Sequence, residues 1–117
     1  MRRNTPPIES RIGKRRAKLV LAPKHLGIVR AILQAHAPHH RAWVFGSRVV
    51  ASAADRARLK PHSDLDLAID GPRLKPEQAF ALREAFSESD LPMRVDIVAA
   101  DDLPARWELL ARPVGKL

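Results

Sequence analysis

Strands and helices interleave along this chain, which predicts a fold of mixed class, α/β or α+β. Two observations carry that expectation. Residues 41–45, 63–70 and 93–99 are short runs rich in β-formers or alternating apolar and polar side chains, the pattern of strands. Residues 23–37 and 76–86 carry apolar side chains at helical spacing instead. With 117 residues the chain is long enough for one domain with a modest core and too short for two ordinary ones.

Residues 1–22 read as a basic arm and residues 23–117 as the folded domain. The first 18 residues contain Pro6-Pro7 and lack a sustained apolar period, so they are expected to be disordered. The formal charge of +8 concentrates in this region. Residues 1–24 hold eight basic residues against Glu9 alone, and the other 93 residues are close to neutral. Such an arm can bind RNA, DNA or another polyanion, although a solvated tail is the plainer reading of a charge run.

Pro23 suits the first turn of a helix, where its missing N–H is not needed. Leu26, Val29, Arg30 and Leu33 fall on neighbouring turns of that helix, and Pro38 stops it. The strand at 41–45 runs directly into Gly46-Ser47, a point where the chain turns sharply toward a helix. Residues 48–62 show no clear period. They are apolar first, then basic at Arg56, Arg58 and Lys60, and end at Pro61. The strand at 63–70 is closed by Gly71-Pro72. The helix at 76–86 buries Ala79, Leu82 and Phe86 and exposes Glu77, Arg83 and Glu84. After the strand at 93–99, Asp101 or Asp102 is expected to cap a final helix containing Trp107, Leu109 and Leu110.

Composition removes several classes. There is no cysteine, which excludes disulfides and thiol chemistry and suits a cytoplasmic location. No apolar stretch approaches a membrane span, and Arg2-Arg3 is not followed by the apolar run of a secretory signal. His36, His39 and His40 lack a cysteine or a fourth clustered ligand, so a zinc site is not expected.

The chemistry concentrates in Asp64-Leu65-Asp66-Leu67. On a strand, residues two apart share a face, with Cα atoms roughly 7 Å apart. Asp64 and Asp66 therefore project together, and Leu65, Leu67 and Ile69 point into a core. Two neighbouring carboxylates repel unless a cation or a proton intervenes. Mg²⁺, which takes oxygen ligands and bridges carboxylates to phosphates, is the natural counterion. Asp96, between Val95 and Ile97, can complete a three-carboxylate cluster, although a salt bridge to Arg94 or Arg41 is its plainer reading. Such a cluster can hold two Mg²⁺ ions for phosphoryl chemistry, with Asp96 nearest the nucleophile and able to accept its proton. At Gly46-Ser47 the backbone can approach a phosphate closely, and Ser47 Oγ can add a hydrogen bond. Arg48 can contact phosphate or serve a structural ion pair. Arg56, Arg58 and Lys60 can steer a nucleotide, although a solvated charge run is again the plainer reading.

Phe45-Gly46-Ser47-Arg48, Ser63-Asp64-Leu65-Asp66-Leu67-Ala68-Ile69 and Val95-Asp96-Ile97-Val98, in this order, resemble the minimal nucleotidyltransferase family of the DNA polymerase β superfamily. The resemblance spans about residues 26–110. It implies an α+β fold, a small mixed β-sheet with helices packed on one face, and Mg²⁺-dependent transfer of a nucleoside monophosphate from an NTP such as ATP. Carried onto matching positions, it makes Gly46 and Ser47 triphosphate binders, with Arg48 beside them, and Asp64, Asp66 and Asp96 catalytic metal ligands. It further implies an all-helical HEPN-type partner, with some such pairs forming toxin–antitoxin systems in which the nucleotidyltransferase adenylylates its partner. Two features depart from the family pattern. Sixteen residues separate Ser47 from Asp64, a longer loop than usual, and Val50 and Ala51 stand where a second glycine is common.

The leading expectation is therefore a cytoplasmic enzyme that transfers AMP from ATP to a hydroxyl of a HEPN-type toxin. The alternatives are an antitoxin acting by occlusion alone, or nucleotidyl transfer to RNA or a small molecule. Association with further copies of this chain is left open.

Overall fold

The computed structural model describes residues 18–107 and 111–114. The disorder expected of the arm falls on residues outside that range, apart from Lys18. Within it, strand β1 (Lys18–Leu19) precedes helix α1 (Pro23–His36) and strand β2 (Arg41–Phe45). A 3-10 turn (Gly46–Arg48) leads to β3 (Val49–Val50) and the short helix α2 (Ala53–Arg58). Strand β4 (Leu65–Asp70), helix α3 (Pro76–Ser87) and strand β5 (Val95–Ala99) follow, then a 3-10 turn (Ala100–Asp102) and β6 (Arg112–Pro113).

The main sheet has the order β5-β4-β2-β6 and is mixed. β2 runs antiparallel to both β4 and β6, and β4 is parallel to β5. The parallel pair needs a crossover, and α3 supplies it. Pro113 is tolerated because β6 is an edge strand, where a missing N–H costs little. The expected α+β class with a small mixed sheet holds.

Leu65 and Leu67 are fully buried and Ile69 nearly so. They join Val29 and Leu33 of α1 and Leu82 and Phe86 of α3 in one core. Burying each large aliphatic side chain stabilises the fold by roughly 1.5–3 kcal/mol. Helices α1 and α3 pack together, and Gln78 Nε2 donates to the carbonyl of His36 at 3.0 Å across that contact. On the other sheet face Trp43 meets Trp107 edge to face, with ring centroids 6.3 Å apart, and Phe45 meets the same ring at 6.4 Å. No helix among the described residues is long and apolar enough to cross a membrane.

Three local expectations change. Residues 18–21, assigned by sequence to the arm, are packed on the domain instead. β1 pairs antiparallel with β3, and the Val20 N–H donates to the Arg48 carbonyl at 2.7 Å. The strands expected at 63–70 and 93–99 begin two residues later, at Leu65 and Val95, because the chain enters the ladder only where the Leu65 N–H meets the Arg94 carbonyl at 2.8 Å. Asp101 and Asp102 sit inside a 3-10 turn and cap no helix there, with Asp102 pairing with Arg73 at 3.4 Å. Leu109 and Leu110 of the expected final helix lie outside the described residues.

Candidate active site

Register builds the site. Asp66 stands opposite Asp96 across the parallel β4–β5 pair and opposite Phe45 across β2. Cross-strand partners share a face, so Asp66 and Asp96 project together from the face opposite Leu65 and Leu67. Asp64 lies just before β4, one step beyond the ladder. The pleat thus splits the motif, with leucines into the core and carboxylates toward solvent.

The Gly46–Arg48 turn adjoins this cluster. Gly46 has φ +78°, a left-handed conformation, and a Cβ at that position would collide with Asp66 Oδ2. Only glycine combines that backbone angle with that approach. The Gly46–Arg48 turn is therefore held directly against the central carboxylate.

The electrostatics are those of crowded anions. Burial, followed by the charges of Asp96 and Asp64, pushes the Asp66 carboxyl above its ordinary value, and the Arg94 charge partly offsets this. Arg94 Nη2 donates to Asp64 Oδ2 at 3.3 Å and to Asp96 Oδ2 at 3.5 Å, so one guanidinium bridges two of the three carboxylates. Among the described residues no three His, Asp or Glu groups stand close enough to hold a metal ion as placed. The donor set nevertheless fits Mg²⁺. It consists of hard carboxylate oxygens, and a cation already sits between two of them. The expected Asp96–Arg94 salt bridge is present. Its extension to Asp64 was not foreseen, although alternation from Arg94 to Asp96 places both on one face and carries the signal.

Arg48 departs from its expected place at the phosphate. It is only 5% exposed, and its guanidinium faces inward. It donates to the carbonyls of Ser63 at 2.9 Å, Val20 at 3.1 Å and Pro61 at 2.8 Å. Burial pulls its pKa below the ordinary guanidinium value. Arg48 is the brace of the site: it ties β1 and the end of the long loop to the turn that carries Ser47. No sequence pattern announces that role, because its three acceptors are backbone atoms brought together by folding.

Comparison with known proteins bears on this geometry. Over 85 residues the chain is 45% identical to a protein of Haemophilus influenzae named as a probable protein adenylyltransferase, MntA. The match covers 70% of this chain and 68% of that relative. No protein-family model matches the chain.

Proposed function

Because this chain belongs to the minimal nucleotidyltransferase family, we propose that it transfers AMP from ATP to a side-chain hydroxyl of a partner protein. The partner is a HEPN-type toxin, which the modification silences. The observation that carries the reading is the register of Asp66 on Asp96, which sets both carboxylates on one face with Gly46 against Asp66. The relative's name as a probable protein adenylyltransferase supports AMP as the group moved and a protein as its acceptor.

In this reading Gly46 and Ser47 bind the triphosphate through the turn backbone and the Ser47 hydroxyl. Asp64, Asp66 and Asp96 would hold two Mg²⁺ ions, which supply activation of the attacking oxygen and neutralisation of the departing charge. The hydroxyl oxygen attacks the α-phosphorus, the bond to the β-phosphate oxygen breaks, and pyrophosphate leaves. The hydroxyl proton passes to the Asp96 carboxylate. Arg94 must release Asp64 and Asp96 for this arrangement to form.

Intact-mass measurement of the partner, incubated with MgATP and this chain, tests the reaction. One or more added AMP groups are expected, and none with Asp64→Asn. An unmodified partner that is still neutralised would mark inhibition by occlusion.

The Arg94 bridge makes a separate prediction. Its pairs are solvent-exposed, so each is worth little. Arg94→Gln is expected to bind Mn²⁺ about three- to tenfold more tightly than the wild type, because two weak ion pairs no longer compete. Titration calorimetry reads this directly, and unchanged or weaker binding would refute the competition.

A further inference from the structure

The long segment between Ser47 and Asp64 is not a free loop. Helix α2 occupies its middle, capped by Ser52, whose Oγ accepts the Asp55 N–H at 3.1 Å. Its far end is held where Arg48 takes the Pro61 and Ser63 carbonyls and the Lys60 N–H donates to Ser63 Oγ at 3.3 Å. Where this segment folds back on itself, residues 47–63 alone line an open cavity of about 250 Å³. Val49, Val50 and Leu59 supply apolar lining, and Ser47, Ser63 and Arg58 line it with polar groups. That volume is below the roughly 300–1,000 Å³ typical of a site for a whole small molecule and suits a part of one.

Two facts say which part. Ser47 belongs both to this cavity and to the turn held against Asp66 through Gly46. None of Gly46, Asp64, Asp66 and Asp96 lines the cavity, so Ser47 is the residue through which it adjoins the carboxylate cluster. Arg58 brings a cation that forms no ion pair among the described residues. The turn itself offers none, because the Arg48 guanidinium is committed to carbonyls. Three carboxylates repel a polyphosphate, and a guanidinium beyond them offsets that repulsion with charge-assisted hydrogen bonds.

We propose that Arg58, carried by the extra helix α2, is a phosphate-positioning residue that grips the terminal phosphates of the bound nucleotide in the cavity it shares with Ser47 and Ser63. The inference rests on reading the site as a nucleotide site and adds to it a residue of this chain's own long loop. Asp55 also lines the cavity and opposes the anion, so it sets an upper limit on affinity.

The test is titration of the full chain with magnesium tripolyphosphate and with MgATP, followed by calorimetry. Arg58→Ala is expected to weaken both by about tenfold, the loss of one charge-assisted contact. Arg58→Lys recovers part of that loss. Asp55→Asn is expected to tighten tripolyphosphate binding. Arg56→Ala removes the same charge from the same helix outside the cavity lining and should stay within about twofold of wild type, as expected for a screened surface charge. The proposal is overturned if Arg58→Ala binds as wild type does, or if Arg56→Ala loses as much. Arg58 is exposed, so its variants should fold, and an unchanged melting curve verifies it. In the transfer assay, Arg58→Ala should raise the KM for ATP and leave kcat near the wild-type value. Arg58-dependent binding without any AMP transfer would remove the proposed reaction and keep this site. Normal transfer with an unaltered KM in Arg58→Ala would do the reverse.

Discussion

Asp66→Asn is expected to cut AMP transfer by at least about 10³-fold, some 4 kcal/mol of transition-state stabilisation, while leaving the protein folded. The residue is central in every respect the structure offers. It pairs with Asp96 in the ladder, it touches the Gly46 turn, and it feels the charge of both other carboxylates. Asparagine keeps the shape and removes the anion. A variant retaining more than a tenth of wild-type transfer would count against Asp66 as a ligand of the reacting phosphate's counterions.

The same substitution has a stability consequence of opposite sign. The folded-state pKa of Asp66 is raised, chiefly by burial and then by Asp96 and Asp64. A raised carboxyl pKa means that the fold binds this proton better than the unfolded chain does. The resulting stability is fully present below the unfolded value, near pH 4, and is lost as pH rises through the folded value. At neutral pH in a chelator, Asp66→Asn should therefore melt above the wild type, and the gap should close on acidification. Melting curves of the two proteins across that range read the difference directly. A variant that melts lower at neutral pH would show that the charge is already compensated.

Arg48→Ala is expected to be the most destabilising single change near the site. It would leave three carbonyls, those of Val20, Pro61 and Ser63, without their charged donor. Hydrogen bonds to charged groups contribute about 1.5–3 kcal/mol each, but the contributions overlap on one guanidinium, so a total of about 3–4 kcal/mol is the reasonable scale. For a domain of this size, that lowers the melting temperature by more than about 10 °C. Arg48→Lys should recover little, because an ammonium cannot reproduce the planar fork that reaches three acceptors. Near-wild-type melting of either variant would contradict the brace.

Local chemistry made much of the protein legible. Pro23 and Pro76 open α1 and α3 where their missing N–H groups cost nothing. The alternation in Leu65-Asp66-Leu67 is a local property, because the pleat assigns faces by parity, and the buried leucines and half-buried Asp66 follow it. Gly46 was readable as a turn residue for the same reason.

The segment at 48–62 was not legible, because nothing local specifies it. Its two-residue strand pairs with Lys18–Leu19, about thirty positions earlier, and α2 has only six residues, too few for an apolar stripe to show. The two misplaced strand starts have a similar origin, since pairing and not propensity decides where a ladder begins.

By itself, then, the sequence determined the alternation that separates leucine core from carboxylate face, the glycine turn and the mixed class, all set within a few residues of chain. Only the tertiary structure decided that Arg48 faces carbonyls rather than phosphate, that Arg94 bridges Asp64 and Asp96, and that Arg58 shares a cavity with Ser47. The third follows from residues 47–63 folding back on themselves, and the first two share one physical reason. An arginine is a long, flexible side chain whose partner is whichever acceptor the fold brings within reach, and those acceptors here lie 2 to 30 residues away along the chain.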